Sequence, residues 1–192
     1  MRARPLALLT AAGLLATLAA CSATPEAPVP FAAASNESGS WTILTYSIAD
    51  TNLEDYMMID LEEIGDVGTQ PGLNLVALVD RASDYTDTDV LGLDDWEGGK
   101  LLEIDHNEAT VLEDMGDINT GDPAVLADFL SYGVEHYPAD HYALILSDHG
   151  ASWPGVGDDE SSGGDGLSLA ELNEGISDGL AGAGLEKLDL LG

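Results

Sequence analysis

Apolar positions along the chain follow two periods in turn. WTILTYSIAD (41–50) is aromatic and β-branched and reads as a strand. TNLEDYMMIDLEEIG (51–65) follows with Leu53, Tyr56, Met57 and Leu61 at helical spacing. Thr51 and Glu54 have the spacing of a capping box, and Gly65 is the expected stop. LNLVALVD (73–80) is a nearly continuous apolar run, the pattern of a strand covered on both faces in a parallel sheet. Residues 82–121 are polar and acidic and read as an excursion, with KLLEID and ATVLED forming a short antiparallel pair. A helix is expected next, with Asp122 as N-cap, Pro123 at its first position and Pro138 after its end. Its apolar stripe is Leu126, Phe129, Leu130, Val134 and Tyr137.

HYALILSD (141–148) is a third buried strand. A Gly- and Asp-rich loop separates it from a helix over 168–183, opened by a second capping box of Ser168 and Glu171. LEKLDLLG (185–192) reads as the start of a fourth core strand. Strands alternating with helices predict an α/β fold: a mostly parallel sheet with flanking helices and right-handed crossovers, incomplete at the C-terminus.

The front of the chain has a different character. Arg2 and Arg4 precede the apolar run PLALLTAAGLLATLAA, which is shorter than a membrane span and reads as a signal peptide. Its end, LAAC, resembles the lipobox of bacterial lipoproteins. That resemblance implies removal of residues 1–20 and lipidation of Cys21, and hence a cell-envelope protein anchored by lipid. An ordinary secretory signal with a chance cysteine is the other reading. Residues 21–40, rich in Pro, Ala and Ser, are expected to be a flexible tether, leaving 41–192 as the folded domain.

Charge narrows the partners. The chain has 36 acidic residues against five basic ones, for a net charge of −31. Such a field repels nucleic acid and anionic lipid and draws cationic substrates, although solubility alone also accounts for it. Cys21 is the sole cysteine, which excludes an internal disulfide or a cysteine-ligated zinc.

In open parallel sheets, functional groups gather at the carboxyl ends of strands, where Asp50, Asp80 and His149 fall. His149 is the best base, since imidazole titrates near neutrality. Gly150 allows a sharp turn that presents its N–H to an oxyanion. A histidine merely satisfied by Asp148 fits the same residues. His136 closes a helix, His141 starts a strand and His106 lies in the excursion. No His-Glu-x-x-His pattern exists, and Ser168 in GLSLA is a cap rather than a nucleophile elbow. Asp158, Asp159 and Asp165 are calcium candidates in a loop that otherwise reads as solvated acid, without EF-hand spacing.

Three stretches together resemble the clostripain-type cysteine peptidases, family C11: WTILTYSIADTNLEDY, the long run MGDINTGDPAVLADFLSYGVEHYPADHYALILSDHGASWPGVGDDESSGGDGLSLAEL, and LDLLG. The resemblance implies a caspase- and gingipain-like fold, no required cofactor, and a peptide or protein substrate cleaved after Arg or Lys. It implies that His149 assists a cysteine thiolate and that the Gly150 N–H helps hold the oxyanion. The family's nucleophile follows the next core strand, which here is LDLLG. No residue from 22 to 192 is a cysteine. The chain is therefore expected to be an N-terminal piece carrying the histidine half of the dyad. Two alternatives stand beside this: a non-catalytic, membrane-anchored binding domain on the same fold, and a metal-dependent hydrolase built on His149, Asp148 and Asp158.

Overall fold

A computed structural model describes residues 39–150 and 154–192. The expected signal peptide, the lipidation site Cys21 and nearly all of the expected tether lie outside the described residues. The elements are β1 (Trp41–Ala49), α1 (Glu54–Val67), β2 (Leu73–Arg81), β3 (Gly98–Asp105), β4 (Glu108–Gly116), α2 (Pro123–His136), β5 (His141–Ser147), β6 (Gly155–Asp159), β7 (Asp165–Ser168), α3 (Leu169–Ala183) and β8 (Leu190–Leu191).

Six strands form one sheet in the order β4-β3-β2-β1-β5-β8, and β6 and β7 form a separate hairpin. β1 is central and parallel to both β2 and β5, and β8 adds parallel to β5. β3 and β4 extend the other edge antiparallel. The expected α/β class and mostly parallel sheet with flanking helices are therefore present.

Alternation along the strands sends side chains to two cores. Leu44, Tyr46 and Ile48 of β1 join Val76 and Leu78 of β2 under Leu126, Phe129, Leu130 and Val134 of α2. On the other face Ala49, Ala77 and Val79 meet Met57, Met58 and Leu61 of α1. α3 lies on α2, and Gly175 and Gly179, one turn apart, set the approach. A Cβ at these positions would stand 2.8 Å from the Pro123 carbonyl oxygen and 2.9 Å from that of Ala127.

The α2 N-terminus is as expected, with Asp122 Oδ1 accepting from the Ala124 N–H at 2.8 Å. The Ser168–Glu171 capping box forms in both directions. The one at Thr51 and Glu54 does not. Thr51 Oγ1 accepts instead from the Leu53 N–H, and α1 begins at Glu54 with no side-chain cap. Glu54 is drawn away by a buried arginine. Gly65 does not stop α1, which runs on to Val67 and is capped by Gly68 at φ 64°. Gly65 is there because Leu91 packs on it. Tyr56, expected in the apolar stripe, is 67 % exposed, and Met58 takes the inward position. The region expected as an excursion is where the sheet widens through β3 and β4. The expected acidic loop contains the β6–β7 hairpin, which buries Leu167 in the α2-side core. A strand forms where the fourth core strand was expected: β8 pairs with β5, with Leu190 46 % and Leu191 52 % exposed.

The starts of β1 and β5 are locked by one carboxylate. Asp140 Oδ2 accepts from the Gly39 N–H at 3.0 Å, the Ser40 N–H at 3.1 Å and the Ser40 hydroxyl at 2.9 Å. These bonds, the Ser40 hydroxyl's foremost, hold the Asp140 carboxyl below the usual carboxylate range. Its contribution is present above the unfolded-state value and is lost as the pH falls through the lowered folded-state value. Asp140→Asn is expected to lower Tm at neutral pH, with the two melting curves converging below the carboxylate range in a thermal-unfolding pH series.

Candidate functional site

The carboxyl ends of β1, β2 and β5 lie side by side. β1 and β5 pair without a slip from Trp41↔His141 to Ser47↔Ser147, and β1 runs two residues further, to Ala49, beside β2. Past the strands the chain makes two successive crosslinks. Thr51 Oγ1 donates to Asp148 Oδ1 at 3.2 Å, and His149 Nε2 meets Asn52 Oδ1 at 2.9 Å. The carbonyl oxygen of Asn52 accepts, so Nε2 carries the proton and Nδ1 is the basic nitrogen of the neutral ring. Among the described residues Nδ1 has no partner, and the ring is exposed.

Asp148 does not satisfy His149. Burial raises its carboxyl pKa, partly offset by bonds from the His149 N–H, the Thr51 hydroxyl and the Asp158 N–H. Its Oδ2 is buried and has no hydrogen-bond partner among the described residues. Gly150 bridges to Val156 on β6, and the Gly157 N–H donates to the His149 carbonyl at 3.2 Å. Gly150 does not have a positive φ, and a Cβ there would meet nothing within 4 Å among the described residues. Gly150 is itself exposed and directly follows the histidine.

Of the calcium candidates, Asp158 and Asp165 are exposed. Asp165 binds Asn119 Nδ2 at 2.8 Å through Oδ2. Asp159 turns inward to join two other carboxylates. Among the described residues Asp50, Asp80 and Asp159, all buried, place oxygens within 4.8 Å of one another. They are the residues that could hold a metal ion. Burial would raise the Asp159 pKa, but bonds from the Thr120 N–H and hydroxyl and from Ser162 outweigh it and keep the group a carboxylate. Asp50 Oδ2 accepts from the Ser161 N–H at 2.8 Å. Asp80 is 2 % exposed, and its Oδ2 has no hydrogen-bond partner among the described residues. Burial first, then the charges of Asp159 and Asp50, push its pKa up to about 8. The strand-end positions of Asp50 and Asp80 were legible in sequence; their convergence with Asp159 was not.

Arg81 follows Asp80 but turns to the opposite face, as strand alternation requires. Its Nε donates to Glu54 Oε1 at 2.6 Å, its Nη2 pairs with Asp95 at 2.6 Å, and its guanidinium lies 4.7 Å from the Trp96 ring centroid. This pair fixes the start of α1, two residues after Asn52. A cavity of about 240 Å³ opens beside it, bordered by Asp50, Glu97, Asp117 and Ser161.

A model of the Clostripain family, peptidase C11, matches residues 45–192. Clostripain of Hathewaya histolytica is 38 % identical over 128 residues, covering 60 % of this chain and 24 % of that protein. The chain thus spans about a quarter of the length of the curated relative it matches. A secreted C11 cysteine protease from Bacteroides thetaiotaomicron, solved with an irreversible peptide inhibitor, superposes with a TM-score of 0.61 at 24 % identity. The match covers 80 % of this chain and 41 % of that one. An inactive zymogen C11 protease from Parabacteroides distasonis gives a TM-score of 0.50 at 21 % identity, over 81 % of this chain and 42 % of that one. At these identities the structural likeness shows a shared fold.

Glu54→Ala leaves a guanidinium that cannot shed its charge short of one partner in a buried site. Urea denaturation is expected to show a loss of about 3–5 kcal/mol in unfolding free energy.

Proposed function

Because the chain belongs to the clostripain family, we propose that it carries the general base of a cysteine endopeptidase, His149, with the nucleophile on sequence that follows β8. The register of β8 supports this most directly. Leu190 and Leu191 pair with Ala143 and Leu144, and the Gly192 carbonyl accepts from the Leu146 N–H at 2.9 Å. Continued in that register, the chain comes level with Ser147 two residues past Gly192. A cysteine just beyond that level would stand beside the His149 ring.

The chemistry then follows from the groups in place. Nδ1 takes the thiol proton, and the thiolate attacks the scissile carbonyl carbon to form a C–S bond. The Gly150 N–H faces the resulting oxyanion. As the C–N bond breaks, the imidazolium returns its proton to the leaving amine. Water, deprotonated by the same nitrogen, hydrolyses the thioester. The acidic border of the strand ends, with Asp50, Glu97 and Asp117, suits substrates carrying Arg or Lys at the cleavage position. Anchoring through a lipidated Cys21 is part of the proposal and rests on the LAAC motif. Among the described residues no helix is long and apolar enough to cross a membrane.

The proposal also places the calcium expectation on Asp50, Asp80 and Asp159 rather than on Asp158 and Asp165. Oxygens within 4.8 Å of one another have the spread of ligands around one calcium, whose bonds are about 2.3–2.6 Å. Asp80 Oδ2 is a buried oxygen with no hydrogen-bond partner among the described residues.

Two measurements test these assignments. The complete product of the gene is assayed on peptides with Arg or Lys at the cleavage position. His149→Ala is expected to lower kcat/KM by about 10²–10⁴-fold. Full activity in that variant refutes the role of His149, and an inactive wild-type product leaves the anchored binding domain as the function. Adding calcium to chelator-treated protein is expected to raise Tm by roughly 5 °C. Asp80→Asn should abolish the rise, and a wild type that ignores calcium rules the cation site out.

A further inference from the structure

We propose that Asn52 is the positioning residue of the site: it fixes the His149 ring through Nε2 and leaves Nδ1 as the nitrogen that handles the proton. This rests on the peptidase reading above and adds a third member to the expected pair.

Asn52 sits between the end of β1 and α1, outside the stretch that the strand pattern marks. Its backbone is held from three sides. Thr51, fully buried, spans the gap to β5 by donating to Asp148 Oδ1 and holds the following turn by accepting from the Leu53 N–H at 3.1 Å. The Glu54 N–H donates to the Thr51 carbonyl at 3.1 Å, and the Glu54 side chain is clamped by Arg81. The Asp50 carbonyl accepts from the Glu160 N–H at 3.0 Å, which fastens the same segment to the β6–β7 hairpin. An exposed side chain on so constrained a backbone makes one interaction with His149, at 2.9 Å, across 97 positions of sequence.

The histidine needs such a partner. Its ring is exposed, and Asp148, its sequence neighbour, is bonded to Thr51. A single hydrogen bond to Nε2 restricts rotation about the ring axis and fixes which nitrogen is basic. When Nδ1 takes the thiol proton, the imidazolium keeps its Nε2–H on the Asn52 carbonyl, so charge develops without the ring swinging away. An amide does this without adding a charge. A carboxylate at the same place would hold the proton on the ring more tightly.

That difference supplies a test independent of peptidase activity. The His149 ring is titrated by NMR in wild type, Asn52→Asp and Asn52→Ala. Asn52→Asp is expected to raise the His149 pKa by about one unit or more, as an opposite charge in contact does. Asn52→Ala should lose the protected Nε2–H signal without a large change in Tm. In the complete gene product, Asn52→Ala is expected to lower kcat by about 10–100-fold with little change in KM, the signature of lost orientation. Asn52→Asp should restore much of that rate and move the lower limb of the pH profile upward. An unchanged His149 titration in Asn52→Asp, with the Nε2–H signal intact in Asn52→Ala, overturns the proposal. If wild type shows no peptidase activity while the titration moves as expected, the contact stands and the peptidase reading alone fails.

Discussion

The slip-free parallel pairing of β1 with β5 is the constraint on which the rest of the molecule depends. Two apolar strands covered on both faces cannot shift by one residue without turning every buried side chain to the wrong core. The register is therefore held along the strands by Leu44, Tyr46 and Ile48 of β1 and Leu144 of β5, all in the α2-side core. It is pinned at the start by Asp140 on Ser40. Everything at the carboxyl end inherits that alignment. Asp148 and His149 follow directly on β5, and their side chains reach Thr51 and Asn52, which follow β1.

The two faces do different work. The α2–α3 side is packed by close backbone approach at Gly175 and Gly179 and gives a stiff base. The α1 side carries the buried Glu54–Arg81 pair, which sets where the helix begins and therefore where the preceding loop lies. Arg81 and Asp80 are adjacent on β2 and point to opposite faces. One neutralises Glu54; the other joins Asp50 and Asp159 in a buried acidic cluster. Local charge balance at the site is thus decided by strand alternation, while the net charge of −31 shapes only the field outside.

Errors in the sequence reading share a cause. The spacing of Thr51 and Glu54 favoured a capping box, but a buried guanidinium binds a carboxylate more strongly than a neutral backbone N–H does. Gly65 looked like a stop, yet Leu91, 26 positions away, needs the space. The acidic stretch after His149 was polar enough to be a loop, and its hairpin is stabilised by burying Leu167 against the α2-side core. In each case a distant partner outweighed a correct local preference.

By itself the sequence determined the strand and helix order, the α2 and α3 caps, the parallel character of the central strands and the placing of His149 at a strand end. These follow from periodicity and from hydrogen bonds between residues a few positions apart. Resemblance over a long, specific stretch added the family. Tertiary structure alone decided that His149 turns to Asn52 rather than to Asp148, that Asp159 leaves Asp158 and Asp165 for Asp50 and Asp80, and that Arg81 governs the start of α1. Those contacts span 97, 109, 79 and 27 positions. No local pattern encodes them, because they exist only once the sheet has brought its carboxyl ends into line.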